Sequence, residues 1–206
     1  MLTIIDYKAG NVRSIQNMLK KIGVKSIISN KIESIEAADK LILPGVGSFN
    51  YGMEQLENSG LIPVLNKKVL DEKTPILGIC LGMQLFTKGS EEGNKKGLAW
   101  LDAETIAFNK KLLPENYKIP NMGWNEVEYN KESKLFKNMY EIPSRFYFVH
   151  SYHVKTGNAE NILATTTYGY TFTVGLEKDN IVGVQFHPEK SHKFGMQILR
   201  NFIENY

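Results

Sequence analysis

Hydrophobic positions along the chain fall into two regimes. In the N-terminal part, short runs that are apolar nearly throughout ("LTIIDY", "KSIIS", "KLILPGVG", "PILGIC") alternate with stretches whose apolar residues recur at helical spacing. Val12, Ile15, Met18, Leu19 and Ile22 share one helical face that Gly23 closes, with Asn11 in the N-cap position. A short helix is expected before "KLILPGVG" and a longer one over residues 51–72. Strands without a polar side are buried on both faces, so this half predicts a parallel sheet covered by helices on both faces.

The second half is richer in β-patterned segments: "NEVEY", "RFYFVHSYHV", "TFTVGLE" and "IVGVQF", the last two joined by Asp179-Asn180 in the manner of a hairpin. A closing helix carries Phe194, Ile198, Leu199, Phe202 and Ile203 on one face, with Ser191 as its expected cap. The expected fold class is α/β: a central, mostly parallel sheet with helices on both faces, extended by antiparallel strands. No Pro-, Gly- or Ser-rich linker interrupts residues 1–206, which predicts one domain.

Composition narrows the classes. At 42% hydrophobic and 23% charged, the chain has no apolar run near the ~20 residues of a membrane span. Its first residues lack the basic start of a secretory signal, and a single cysteine forms no internal disulfide, so a cytoplasmic protein is expected. The formal charge of +3 is spread over scattered Lys doublets, which are read as solvated faces and not as a nucleic-acid groove.

The single cysteine, Cys80, lies in Gly78-Ile79-Cys80-Leu81-Gly82, where an apolar run ends and "LGMQLF" begins. Ligands of open α/β sheets bind at the carboxyl ends of strands. Gly-x-Cys-x-Gly is the sulfur version of a nucleophile elbow, in which small neighbours let the nucleophile protrude from a tight strand-to-helix turn. A helix N-terminus there favours the thiolate. Against this stands the commoner fate of a free cysteine, an inert buried hydrophobe. What tips the balance is a candidate base. Among four histidines, His187 ends an apolar strand and precedes Pro188, which extends the backbone and sets His187 beside Glu189. Cys, His and Glu form a complete nucleophile, base and orienter. The Leu81 N–H, with a second donor from "LPGVGSF" around Gly45 and Gly47, could stabilise an oxyanion. That Gly-x-Gly lacks the remainder of a dinucleotide fingerprint. His150 and His153, three apart, have no further cysteine or spaced acid to complete a zinc set, so no metal is expected. His192 is expected to be solvated, and Trp100 and Trp124 to serve in the core or its rim.

Taken together, "LPGVGSF", "GICLGMQL" and "GVQFHPEKS" resemble the triad glutamine amidotransferases, which release ammonia from glutamine. With "IIDYKAGN", "SEEG", "NMGWN" and "YFVHSY" the chain is similar, over nearly its whole length, to the glutaminase subunits of imidazole glycerol phosphate synthase. The resemblance implies Cys80, His187 and Glu189 as triad, and Gly47 and Leu81 as oxyanion hole. It further implies that Gln84, Glu92 and the backbone of Ser151 and Tyr152 hold glutamine. No cofactor is implied; the partner would be a (βα)8-barrel cyclase in a heterodimer. Two positions depart from the family pattern: Lys8 stands where a glycine is usual, and Asn121 where a histidine is usual. Both lie outside the triad. They leave open a paralogous role, the supply of ammonia for amination or amidination of sugars in surface polysaccharides. From a different class, a thiol peptidase or a non-catalytic module on the same scaffold also stays open.

Overall fold

The computed structural model describes residues 1–130 and 132–206. From the N-terminus come β1 (Leu2–Ile5), α1 (Val12–Lys21), β2 (Ser26–Ser29), α2 (Ile32–Glu36), β3 (Lys40–Gly45), α3 (Phe49–Asn58), α4 (Ile62–Asn66), β4 (Ile76–Cys80) and α5 (Leu81–Leu85). There follow β5 (Ala103–Ala107), β6 (Asn121–Glu126), β7 (Glu128–Tyr129), β8 (Arg145–His150), β9 (Tyr152–Thr156), β10 (Ile162–Tyr168), β11 (Tyr170–Lys178), β12 (Ile181–Val184) and α6 (His192–Asn205).

The main sheet runs β2-β1-β3-β4-β12-β11-β10-β7, with β9 joined to β11 and β5 to β9. From β2 to β12 every pairing is parallel; from β11 onward every pairing is antiparallel. Alternation within the parallel strands feeds two cores. Ile4, Ile42, Leu77 and Ile79 pack on one side of the sheet, and Ile5, Leu41, Leu43 and Ile76 on the other. Each such fully buried side chain stabilises the fold by ~2 kcal/mol, which is why the strands carry no polar face. The expected fold class is the one observed. Among the described residues no helix is long and apolar enough to cross a membrane.

Three local expectations require correction. The helix expected over residues 51–72 is broken: α3 ends before Gly60, whose φ of +68° stops it, and the chain restarts as α4 with Pro63 in its first turn and continues as a π-helical turn over Lys67–Asp71. The segment "RFYFVHSYHV" is two strands, not one. Its first half, β8, pairs only with β6 in a separate two-stranded sheet, while β9 rejoins the main sheet through β11 and β5. Asn11 and Ser191 occupy N-cap positions, but neither side chain caps its helix; the Asn11 side chain accepts from the Ser14 hydroxyl (2.9 Å).

Lys8, at one of the departures from the family pattern, has φ +68°, a left-handed conformation natural to glycine. The Asp6 carboxylate accepts from its backbone N–H at 3.2 Å and the Tyr51 hydroxyl donates to its carbonyl at 3.4 Å, holding the turn despite the strain. Next to it the Val46 N–H donates to Ala9 O (2.8 Å), so this turn braces the segment after β3. Lys8→Gly is expected to raise the unfolding free energy in urea by ~0.5–1 kcal/mol. An unchanged or lowered value would show that the lysine side chain offsets its own backbone strain.

Candidate active site

β4 and β12 are parallel neighbours in the register Ile76↔Ile181 to Ile79↔Val184. Cys80, the last residue of β4, and the residues that follow β12 therefore emerge at the same edge of the sheet. Cys80 has φ +54° and ψ −111°, a conformation costly for any side chain and characteristic of the elbow that lifts a nucleophile out of its strand. The flanking glycines are required by packing. A Cβ on Gly78 would lie 2.5 Å from the Phe86 ring, and one on Gly82 would collide with the Leu43 carbonyl of β3. α5 is thus pressed against β3 and β4 closely enough to close the turn.

His187 sits just beyond β12 in extended geometry (φ −100°, ψ 96°), followed by a 3-10 turn over Pro188–Lys190 that brings Glu189 alongside. Its Nδ1–H donates to Glu189 Oε1 at 2.8 Å, and both side chains are almost fully buried. The backbone is clamped as well: His187 N–H donates to Tyr147 O (2.9 Å), and the Ser191 hydroxyl donates to His187 O (2.6 Å) while accepting from Tyr147 N–H (3.0 Å). The Ser191 side chain is occupied here, which is why it does not cap α6. With Nδ1 committed to Glu189, Nε2 is the nitrogen left for chemistry. It is buried and has no hydrogen-bond partner among the described residues. Burial works against a charged imidazole, but the nearby Cys80 sulfur and the Glu189 carboxylate outweigh it and push the His187 pKa up to about 10. Sulfur and imidazole are therefore electrostatic neighbours at this sheet edge.

The remaining expected residues gather around this edge. Gly45 pairs with Cys80 in the β3–β4 ladder, and two residues on Gly47 adopts φ +103°, open to glycine and strained for other residues. Leu81 opens α5 directly after the sulfur. Buried Gln84, one turn later, donates through Nε2 to Tyr152 O (3.2 Å) and to Gln185 Oε1 (3.0 Å). Ser151 is the hinge between β8 and β9, and Tyr152 begins β9. Glu92 is exposed, with Oε2 accepting the Phe49 N–H at the start of α3 (2.7 Å), which ties the 88–97 loop to that helix.

The two histidines considered for zinc are core residues. His150 Nδ1–H donates to Tyr152 O (2.8 Å) while Nε2 accepts from Asn121 Nδ2 (3.2 Å), and burial pushes its pKa down to about 3, so it is neutral. His153 Nε2 meets the Tyr170 hydroxyl at 2.9 Å. His192 is exposed but stacks on Trp124, the planes 1° apart. Two neighbours of the sulfur escaped the sequence reading. Gln185 Nε2 lies 3.6 Å from Cys80 Sγ, and the Tyr7 hydroxyl, buried and unpartnered among the described residues, is pushed above its ordinary pKa by burial and by Cys80. Gln185 stands two residues before His187 and Tyr7 just past β1, both at the sheet edge that Cys80 marks, so strand ends were the available signal. A concavity of about 1150 Å³, lined by Tyr117, Trp124, Tyr129, Tyr140 and Tyr168 among others, includes neither Cys80, His187 and Glu189 nor Gln84, Gln185 and Tyr7.

The description "glutamine amidotransferase class-I" matches residues 3–206. The chain belongs to that family. It is 57% identical over 204 residues to "Imidazole glycerol phosphate synthase subunit HisH 2" of Methanococcus maripaludis, spanning 99% of both chains. To the protein of the same printed name from Pseudomonas aeruginosa it is 46% identical over 204 residues, spanning 99% of each. Its fold matches the solved structure of PurLQS from Thermotoga maritima with a TM-score of 0.73 at 16% identity, over 98% of this chain and 96% of that one.

The raised His187 pKa has a consequence for stability. A histidine whose folded pKa exceeds its unfolded value of ~6.5 contributes stability that is complete below that value and is lost as pH rises toward the folded one. Thermal unfolding between pH 6.5 and 10 should therefore show a declining Tm that Glu189→Gln flattens, because one of the partners raising the pKa is gone. Parallel curves for wild type and variant would contradict this.

Proposed function

We propose that this chain is a glutaminase in which Cys80 is the nucleophile, His187 the proton shuttle and Glu189 its orienter. The observation that carries the reading is the buried His187–Glu189 pair at the same sheet edge as a cysteine held in a strained elbow. In the proposed reaction the sulfur attacks the side-chain carboxamide carbon of glutamine. The C–N bond breaks, and His187 Nε2–H protonates the departing ammonia, leaving a glutamyl thioester. Water, deprotonated by the same nitrogen, attacks the thioester; glutamate departs and the thiol is restored. The N–H groups of Leu81 and Gly47 would stabilise each oxyanion, a single donor contributing ~3 kcal/mol. Gln84, Glu92 and the Ser151–Tyr152 backbone would hold the amino-acid end of glutamine.

Free ammonia takes up a proton in bulk water, so useful delivery requires a sheltered route. The relatives' names support a role as the glutaminase subunit of imidazole glycerol phosphate synthase in histidine biosynthesis, working in a heterodimer with a (βα)8-barrel cyclase. A second reading is favoured by a specific observation: the relatives from Methanococcus maripaludis, Pseudomonas aeruginosa and Campylobacter jejuni carry copy numbers in their names, 2, 2 and 1. Duplicated subunits leave room for a paralogue whose ammonia goes to sugar amination or amidination. A pull-down that identifies the barrel partner, followed by an assay with its acceptor, separates the two.

Cys80→Ala is expected to lower glutamate release at least ~10³-fold, and His187→Ala by a comparable factor. Full-rate release by either variant would overturn the triad. Glutamate release should also rise when partner and acceptor are added together. Equal turnover with and without them would argue against coupled delivery.

A further inference from the structure

The amide of Gln185 is fully buried, and its polarity is set by its neighbours. Tyr152 O is a carbonyl and can only accept, so the end of Gln84 that faces it at 3.2 Å must be the NH₂ group. The same NH₂ faces Gln185 at 3.0 Å, so that end of Gln185 must be its oxygen. The other end, the Gln185 NH₂, is then the one that lies 3.6 Å from Cys80 Sγ. The array is anchored beyond Tyr152 as well, because the same carbonyl accepts from His150 Nδ1–H at 2.8 Å. Backbone geometry fixes Gln185 further, its N–H donating to Val174 O of β11 at 2.9 Å.

From this we infer that Gln185 is a further catalytic residue of the glutaminase, donating an amide N–H to the Cys80 sulfur and favouring its anionic form. The inference rests on the proposed role of Cys80 as nucleophile. A neutral donor in a water-poor site stabilises the sulfur anion without adding a charge that would compete with His187, and hydrogen bonds to charged acceptors are the stronger ones. When the thioester forms, the sulfur gives up its charge and the bond weakens. Its main contribution is thus to the reactivity of the free thiol. Gln84 takes a second part by holding the Gln185 amide the right way round.

The test uses iodoacetamide, whose reaction with Cys80 needs neither glutamine nor a partner. Alkylation rate is followed by intact mass across pH, alongside glutamate release. Gln185→Met keeps the shape of the side chain and removes the donor. It should move the midpoint of the pH–rate profile upward by about one unit, lower alkylation near neutral pH about tenfold, and lower kcat/KM in parallel. Gln84→Met leaves Gln185 in place but frees its amide to rotate, and should move the profile the same way by a smaller amount. It serves as the reading if Gln185→Met does not fold. A profile unchanged in the folded Gln185→Met protein, or in Gln84→Met should that protein be the only one to fold, would overturn the inference. Wild-type protein that releases no glutamate even with the barrel partner and its acceptor present would instead overturn the glutaminase reading.

Discussion

The parallel pairing of β4 with β12 is the constraint on which the site depends. Four register pairs, from Ile76↔Ile181 to Ile79↔Val184, fix two segments a hundred residues apart in the chain to end at one edge. One step further along that register Gln185 comes beside Cys80, and two more residues bring His187. Slipping the register by one would turn every side chain of β12 to the opposite face, and both faces are packed with apolar residues. Core packing therefore also fixes the chemistry, since the two cannot shift independently.

Around this pairing the backbone accepts strain at a few points. Cys80 takes a left-handed φ that its strand and helix impose, and Gly78 and Gly82 allow α5 to lie against Phe86 and the β3 backbone. His187 is not held by Glu189 alone. Tyr147 and Ser191 grip its backbone from two sides, so the ring's position is set by β8 and the entry to α6 as much as by its own strand. Such support is what holds reacting groups in place to fractions of an ångström.

The proposed triad rests on local signals: a glycine bracket at a strand end, and a His-Pro-Glu segment in which proline sets the geometry. The parallel half of the sheet was legible for a similar reason, since strands buried on both faces have no polar alternation. What sequence did not reveal arises from contacts between distant segments. Gln84, Gln185 and the Tyr152 carbonyl meet only once β4, β9 and the end of β12 are assembled, and glutamine carries no local signature of such a role. The break in the expected 51–72 helix was signalled by Gly60 and Pro63, whose combined effect outweighs the apolar periodicity around them. The split at Ser151 had no local signal, because β8 and β9 read as one continuous β-patterned run and only their different partners separate them.

The central claim is that the sulfur of Cys80 and the imidazole of His187 act on the same bound glutamine. Inactivation by a glutamine-mimicking diazoketone, followed by peptide mapping, tests it most directly. The account predicts one adduct, on Cys80, forming in wild-type protein at least ~100-fold faster than in His187→Ala. An adduct elsewhere, or equal rates in the two proteins, would contradict it.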